Sequence, residues 1–242
     1  MNASDVTIFD GLALAYFLAC WIGFGRFSRW RARANPNLLG TLRVFRQRWM
    51  ERACQRENQQ SDVAVVGNLA NGARFFASTT VLILGGLIAL LGTTEKVIEV
   101  VAELPFTGPF AVWLWEAKAL LLIYIFIYAF FKFTWSALQY NALSIIVGAA
   151  PDHEAAASVR EPYVISAANI AILAGESSNH GIRAYHFSMA AVTWFLHPLA
   201  LVIAASWVAY VLYRREFASP TLNALVVPTD PQAALANPEM RA

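Results

Sequence analysis

The four histidines are the residues whose side chains most directly suggest chemistry, and two of them lie in one long apolar stretch. His186 and His197 are eleven positions apart, which on a helix separates them by roughly 16 Å along the axis. They therefore cannot bind one metal ion together. A b-type haem would need a second histidine from another apolar segment, and none is present there. The sequence predicts no metal site and no cofactor.

The intramembrane polar residue His197 precedes Pro198, whose ring nitrogen cannot donate the usual helical hydrogen bond to the carbonyl of Trp194. In a helix surrounded by lipid, that carbonyl needs another donor. One interpretation is a structural kink, in which a neighbouring helix supplies the donor and His197 bonds inside the protein. The other is a titratable group on a proton or solute path. Both interpretations predict a bent helix with His197 facing protein.

A second group of polar residues lies at the ends of three apolar segments. Arg74, Lys132 and Arg183 each fall beside uncharged polar side chains. If the three cations converge, they would bind a lipid phosphate, another anion or the carboxylate of a partner. If they do not, they are the flanking charges typical of membrane proteins. The candidate anion or lipid site comprises Asn71, Arg74, Lys132, Gln139, Asn141, Asn179, Arg183 and His186.

The composition places these residues in a membrane protein. Charged residues make up 14% of the chain and hydrophobic residues 58%, whereas a soluble domain has about 25% charged residues. Four apolar stretches are long enough to cross roughly 30 Å of hydrocarbon, at residues 7–25, 75–92, 113–133 and 186–213. The predicted fold is all-α, with residues 1–217 forming a four-transmembrane-helix bundle. Residues 218–242 contain several prolines and are predicted to be a flexible, disordered tail.

Between the first two spans lies a strongly basic segment. Residues 26–70 carry nine arginines and three acidic residues, a net charge of +6. From residue 38 to 53 the apolar residues recur at helical spacing, and most arginines lie off that stripe. Such a basic amphipathic cytoplasmic segment favours a helix lying on anionic lipid. The alternative is that its apolar face docks on the helix bundle.

The distribution of basic residues predicts the orientation. Thirteen of the eighteen fall in residues 26–74 and 132–183, and five fall elsewhere. The positive-inside rule then places both of these regions in the cytoplasm, with both termini and the acidic loop at 93–109 outside. The expected location is the bacterial inner membrane, as a multi-pass protein. The Arg214–Arg215 pair is the feature against this orientation.

Three blocks of sequence resemble one protein family. They are RWM (48–50) with FFASTTVLILGG (75–86), WEAKALLL (115–122) with FFKFTWSALQYN (130–141), and NHGIRAYHF (179–187) with WFLHPL (194–199) and VLYRREF (211–217). Together they are similar to the bacterial and plant membrane proteins of domain-of-unknown-function family five-nine-nine, over roughly residues 10–217. The resemblance implies a compact four-helix membrane protein. It assigns no activity and no catalytic or binding residue.

No recognised catalytic motif is present in the sequence. It lacks a phosphate-binding glycine loop, a nucleophile elbow and a zinc-protease histidine pair, so it does not indicate an enzyme. A net charge of +2 is too small to indicate nucleic-acid binding. The sequence favours a structural or accessory membrane protein that binds anionic lipid headgroups at its basic loop, or a partner membrane protein. The alternative is a small channel or transporter, formed as a homo-oligomer, for an ion or small anionic solute.

The predicted orientation can be tested at Cys54, which lies in the basic loop. A membrane-impermeant thiol reagent should leave Cys54 unmodified in intact cells and modify it after lysis, if its side chain is accessible. The physical reason is that the reagent cannot reach a cytoplasmic thiol across the bilayer. Modification of Cys54 in intact cells would overturn the orientation.

Overall fold

A computed structural model of the protein describes residues 3–93, 112–152 and 154–229, and every regular element in these ranges is a helix. Most of the predicted outer loop at 93–109 and the chain beyond 229 lie outside the described residues. The helices are α1 (Ala3–Arg31), α2 (Leu38–Ala53), α3 (Gln60–Gly92), α4 (Val112–Gly148), α5 (Ala157–Val192), α6 (Pro198–Phe217) and α7 (Pro220–Thr229). A short 3₁₀ turn, Thr193–Phe195, separates α5 from α6.

Three helices in the described part are long and apolar enough to cross a membrane. They are Ile8–Arg31 within α1, all of α3 and all of α4. These helices contain the first three predicted spans. α4 runs through Lys132 without a break, because no glycine or proline interrupts its pattern before Gly148. At 37 residues it is roughly 55 Å long, well beyond the thickness of a hydrocarbon core.

The fourth predicted span, residues 186–213, is not a single helix. In one continuous helix the 36 positions between Asn179 and Arg215 would separate them by about 54 Å. Instead, Arg215 Nη2 donates a hydrogen bond to Asn179 Oδ1 at 2.8 Å. The chain therefore turns back at residues 193–197, and α5 and α6 form a helical hairpin. The prediction of a bent single span is wrong.

Pro198 starts a helix and does not kink one. At the first position of a helix the N–H would be unpaired in any case, so proline costs nothing there. His197 is exposed, and its Nδ1 accepts a hydrogen bond from the N–H of Leu199 at 3.1 Å. That bond satisfies one of the donors left free at a helix start. The prediction that His197 faces protein is therefore wrong.

The chain divides into two compact units. The first unit comprises Met1–Phe27, Phe75–Lys132 and His180–Val211; the second comprises Ser28–Arg74, Phe133–Asn179 and Leu212–Ala242. Aromatic packing characterises the first unit: the Trp21 and Phe187 rings stack with centroids 6.3 Å apart, and Phe17 meets Phe187 edge-on at 5.9 Å. The second unit has an aliphatic core that includes Met50, Val66, Leu143 and several alanines of α5.

α2 belongs to the core of the second unit. Met50 and Ala53 on its apolar side are fully buried, and Trp49 packs against the same core. Arg48 and Arg52 on the other side are exposed. Of the two interpretations of the basic amphipathic segment, the structure shows the docked helix. The part of its apolar side formed by Met50 and Ala53 is occupied by protein.

A helix also occupies the first part of the predicted flexible tail. Ser219 Oγ accepts a hydrogen bond from the N–H of Leu222 at 3.1 Å, and Pro220 takes the first helical position, a combination that favours helix initiation. Leu222 is buried, and α7 packs against α2. The expected disorder is therefore incorrect for residues 220–229.

The α5–α6 hairpin changes the side of the membrane on which the C-terminal segment is expected to lie. Asn37 Nδ2 donates to Glu216 Oε1 at 2.6 Å, so the end of α6 touches the segment that leads into α2. A direct contact of this length cannot bridge roughly 30 Å of hydrocarbon. The expectation that the basic loop and the Arg214–Arg215 pair lie on opposite sides of a membrane is wrong.

A reporter fused after Ala242 should therefore report the same side as Cys54. With the basic loop in the cytoplasm, a fluorescent protein fused there should fluoresce and alkaline phosphatase should be inactive, because the phosphatase folds only where disulfides form. Fusions after Val100 are the control, since the sequence places that loop on the opposite side. Active phosphatase after Ala242, with Cys54 shielded in intact cells, would contradict the hairpin.

Candidate functional site

The reversal between α5 and α6 requires a substitute hydrogen bond in the first unit. Pro198 has no N–H, so the carbonyl of Trp194 loses its intrahelical donor. Lys118 Nζ, from α4, donates to that carbonyl at 3.0 Å. The lysine is only 4% exposed. A charged side chain of a neighbouring helix thus satisfies the backbone group that the proline leaves free.

Asp10 of α1 balances the buried charge of Lys118. Its Oδ1 lies 3.4 Å from Lys118 Nζ and accepts a hydrogen bond from Trp194 Nε1 at 2.6 Å. Asp10 is 3% exposed. A buried ion pair offsets the loss of hydration only when further hydrogen bonds complete it, and Trp194 supplies one to each partner. We call these three residues the Asp10–Lys118–Trp194 centre.

Sequence reasoning missed this centre. Asp10 and Lys118 lie near the ends of predicted spans, where charged side chains ordinarily reach the headgroups. The available signal was Pro198, because it marks a carbonyl that needs a donor and Lys118 is the one lysine of the first three predicted spans apart from Lys132. That signal does not reveal which helix is adjacent.

In the second unit, three of the predicted anion-site residues lie together. Arg74 Nη1 donates to Asn71 Oδ1 at 2.9 Å, and its Nη2 donates to Asn141 Oδ1 at 2.5 Å. All three residues are exposed. They join α3 to α4 and leave part of the guanidinium facing outward.

Two other predicted site residues of this unit have separate partners. The side-chain amide of Gln139 hydrogen-bonds to Ser177 Oγ at 3.0 Å, which joins α4 to α5. Asn179 accepts from Arg215, the contact that closes the hairpin. Both residues therefore serve helix–helix contacts of the second unit.

The remaining predicted site residues belong to the first unit. Arg183 is buried, with its guanidinium over the Phe24 ring at 5.4 Å. Lys132 Nζ lies 5.5 Å from the centre of the Tyr128 ring, and His186 Nδ1 lies 2.8 Å from the carbonyl of Ile182 on its own helix. Cation–π contacts of this kind stabilise a desolvated charge. Convergence of Arg74, Lys132 and Arg183 on one anion stays a prediction.

Arg183 approaches a glycine closely. A Cβ atom added at Gly25 would lie 3.0 Å from Arg183 Nη1. An arginine of α2 packs against a glycine in the same way in the second unit. There the guanidinium of Arg46 rests on Gly175 of α5, so closely that a Cβ at Gly175 would overlap it. Each arginine thus depends on a neighbouring helix without a side chain at the contact.

Acidic partners hold the ends of α2 in place. Arg43 forms an ion pair with Glu176, near the start of the helix. Past its end, Asp62 Oδ1 accepts from Arg56 Nη1 at 2.6 Å and from Trp49 Nε1 at 2.7 Å. Asp62 is 2% exposed. These bonds fix the rotation of α2, so that Arg48 and Arg52 point away from the core.

The described residues contain no candidate metal site. No cluster of three or more histidine, cysteine, aspartate or glutamate side chains there could hold a metal ion.

A family model described as "Protein of unknown function, DUF599" matches residues 12–221. The chain belongs to the DUF599 family. The match includes the Lys118–Trp194 pair, all of α2 and the hairpin. The description of the family assigns no activity. Comparison with curated proteins and with solved structures gives no significant match.

Loss of the Lys118 ammonium should destabilise this DUF599 protein strongly. Lys118→Met leaves the Asp10 carboxylate buried without a counter-ion and the Trp194 carbonyl without a donor. Breaking a buried pair in this way costs about 3–5 kcal/mol, measurable as a lower unfolding temperature in detergent. Asp10→Asn combined with Lys118→Met should recover part of the loss, because no buried charge then remains.

Glu116→Gln is the matched control, since Glu116 is exposed two positions earlier on the same helix. It should change the unfolding temperature little. If Lys118→Met has no larger effect than Glu116→Gln, the centre does not stabilise the reversal.

Proposed function

We propose that this DUF599 protein is an accessory membrane protein whose basic, cytoplasmic face binds anionic lipid headgroups. The observation that carries the proposal is the docking of α2. Because its apolar side is buried in the second unit, the helix presents its arginines outward on a fixed surface. The three long apolar helices support a location in a membrane, which we take to be the bacterial inner membrane.

Arg48 and Arg52 are the arginines of α2 best suited to this role. They lie one helical turn apart, and both are exposed. Arg43 and Arg56 are also exposed, and each pairs with an acidic residue of the second unit. An arginine near an anionic membrane surface contributes about 1 kcal/mol of binding. Two such residues on a rigid helix would bind phosphate groups without a cost for ordering the backbone.

The helical hairpin supports the cytoplasmic orientation of this face. Arg215 contacts Asn179, and Glu216 contacts Asn37. The Arg214–Arg215 pair, which argued against the orientation in the sequence, is therefore on the same side as the basic loop. An additional pair of arginines on that side agrees with the positive-inside rule.

A small oligomeric channel or transporter is the second candidate, favoured by the Asp10–Lys118–Trp194 centre. A buried ion pair beside a helix break is a feature of ion and solute paths. In this chain, however, the lysine is already bonded to the Trp194 carbonyl and lies beside Asp10. The centre is thus explained by the needs of the hairpin. Solute flux across proteoliposomes would favour the second candidate.

The lipid proposal predicts that binding depends on charge at two positions. In neutral detergent, added phosphatidylglycerol should raise the unfolding temperature more than phosphatidylcholine does. Arg48→Gln with Arg52→Gln should weaken the apparent affinity for phosphatidylglycerol roughly 30-fold, taking 1 kcal/mol per arginine. Added salt should weaken the wild-type binding, because it screens exposed charges.

Arg48→Lys with Arg52→Lys is the matched control, since it keeps both charges. This variant should retain most of the binding. Wild-type affinity in the glutamine variant, or binding that salt does not change, would contradict the proposal.

A further inference from the structure

The second unit contains a cavity that the proposed lipid-binding face does not use. It has a volume of about 520 Å³ and lies between α2 and the first half of α5. Arg43 at the start of α2 pairs with Glu176, whereas Cys54 after its end lines the cavity with Arg160. The two helices are therefore antiparallel, and the cavity follows their junction. Its volume is typical of sites for small molecules.

One part of the cavity lining is apolar. Ala168 is 4% exposed and Cys54 2% exposed. Val164, Ile165 and Ile172 of α5 continue this surface, and Ile165 is exposed. The short side chain at Ala168 leaves space where a larger residue would fill the junction between the helices. This surface suits a short aliphatic group.

Arg160 gives the cavity a positive group that lacks an acceptor. Its Nε is buried and has no hydrogen-bond partner among the described residues. Arg160 also makes no ion pair within that part of the chain. A buried donor without an acceptor costs free energy, and the planar guanidinium fits carboxylate or phosphate oxygens in particular. An oxyanion in the cavity would bind the terminal nitrogens of the guanidinium, because only Nε is among its buried atoms and Arg160 as a whole is half-buried.

Two carboxylates line the same cavity. Glu51 of α2 and Glu161 of α5 are both exposed, and Glu51 Oε1 accepts from Gln47 Nε2 at 3.2 Å. A simple anion bound to Arg160 would meet these two negative charges. A simple cation bound to the carboxylates would meet Arg160. A ligand with both charges satisfies both groups.

We propose that the cavity binds a small zwitterion in which an oxyanion and an ammonium group are joined by a short aliphatic chain. The oxyanion pairs with Arg160, the ammonium with Glu51 and Glu161, and the chain contacts Val164 and Ala168. Phosphoethanolamine has this chemistry. It occurs both as a free molecule and as the headgroup of phosphatidylethanolamine.

Cys54 provides a local readout of occupancy. Its thiol lines the cavity, and burial raises the pKa of that thiol, so its alkylation should be followed at mildly alkaline pH. O-phosphoethanolamine should slow the alkylation of Cys54 in the full chain at least severalfold. The rate at Cys20, which lies in α1 and not in this cavity, should stay unchanged.

Variants locate the two charged contacts. Arg160→Gln should weaken the Kd for O-phosphoethanolamine about tenfold or more, because a charge-assisted bond is lost. Arg33→Gln, at an exposed arginine of the second unit that does not line the cavity, should not. Glu161→Gln should reduce the preference for phosphoethanolamine over phosphocholine, since the quaternary ammonium of phosphocholine donates no hydrogen bond. Unchanged unfolding temperatures verify that each variant is folded.

Three results would overturn the proposal. They are unchanged alkylation of Cys54, equal loss of affinity in Arg160→Gln and Arg33→Gln, and equal protection by inorganic phosphate, which would show a simple anion site. Nanodiscs with phosphatidylethanolamine, compared with phosphatidylcholine, separate the two sources of the ligand. Protection of Cys54 in phosphatidylethanolamine nanodiscs and not in phosphatidylcholine nanodiscs identifies the lipid headgroup as the ligand. Protection only by O-phosphoethanolamine identifies the free molecule. Either result supports the zwitterion site.

Discussion

The hydrogen bond from Lys118 to the Trp194 carbonyl is the interaction on which the hairpin depends. Pro198 removes the ordinary donor of that carbonyl, and Trp194 is 2% exposed, so the replacement donor must come from the protein. A lysine can enter such a place only with a counter-ion, which Asp10 provides at 3.4 Å. The indole N–H of Trp194 then donates a hydrogen bond to the Asp10 carboxylate. One backbone carbonyl thereby links α1, α4 and the turn between α5 and α6.

The second unit solves a different problem, which is how to hold a basic helix against protein. The apolar side of α2 enters the aliphatic core, and acidic side chains at both ends fix its rotation. Arg46 fits only because Gly175 carries no side chain. The arginines that remain outside are therefore displayed on a rigid surface. This arrangement supports the proposed recognition of anionic headgroups.

The two proposed binding regions of the second unit differ in chemistry. The outer side of α2 offers exposed arginines without an enclosed volume, which suits headgroups of any anionic lipid. The cavity beside Arg160 lies between two helices and is lined by both signs of charge, which suits one small molecule with matching charges.

The local sequence pattern determined the helices, because helix formation depends on residues that are neighbours in the chain. Apolar runs free of proline predict α1, α3 and α4. The spacing of apolar residues in Leu38–Ala53 predicts α2. The pattern also identified Pro198 as an interruption of the helical hydrogen bonding, which predicts a kink. It could not decide the chain's direction afterwards, because a bent span and a hairpin have the same apolar pattern. The contacts of Arg215 with Asn179 and of Lys118 with Trp194 decide it. The cavity likewise needs α2 and α5 side by side, and that proximity exists only in the tertiary structure.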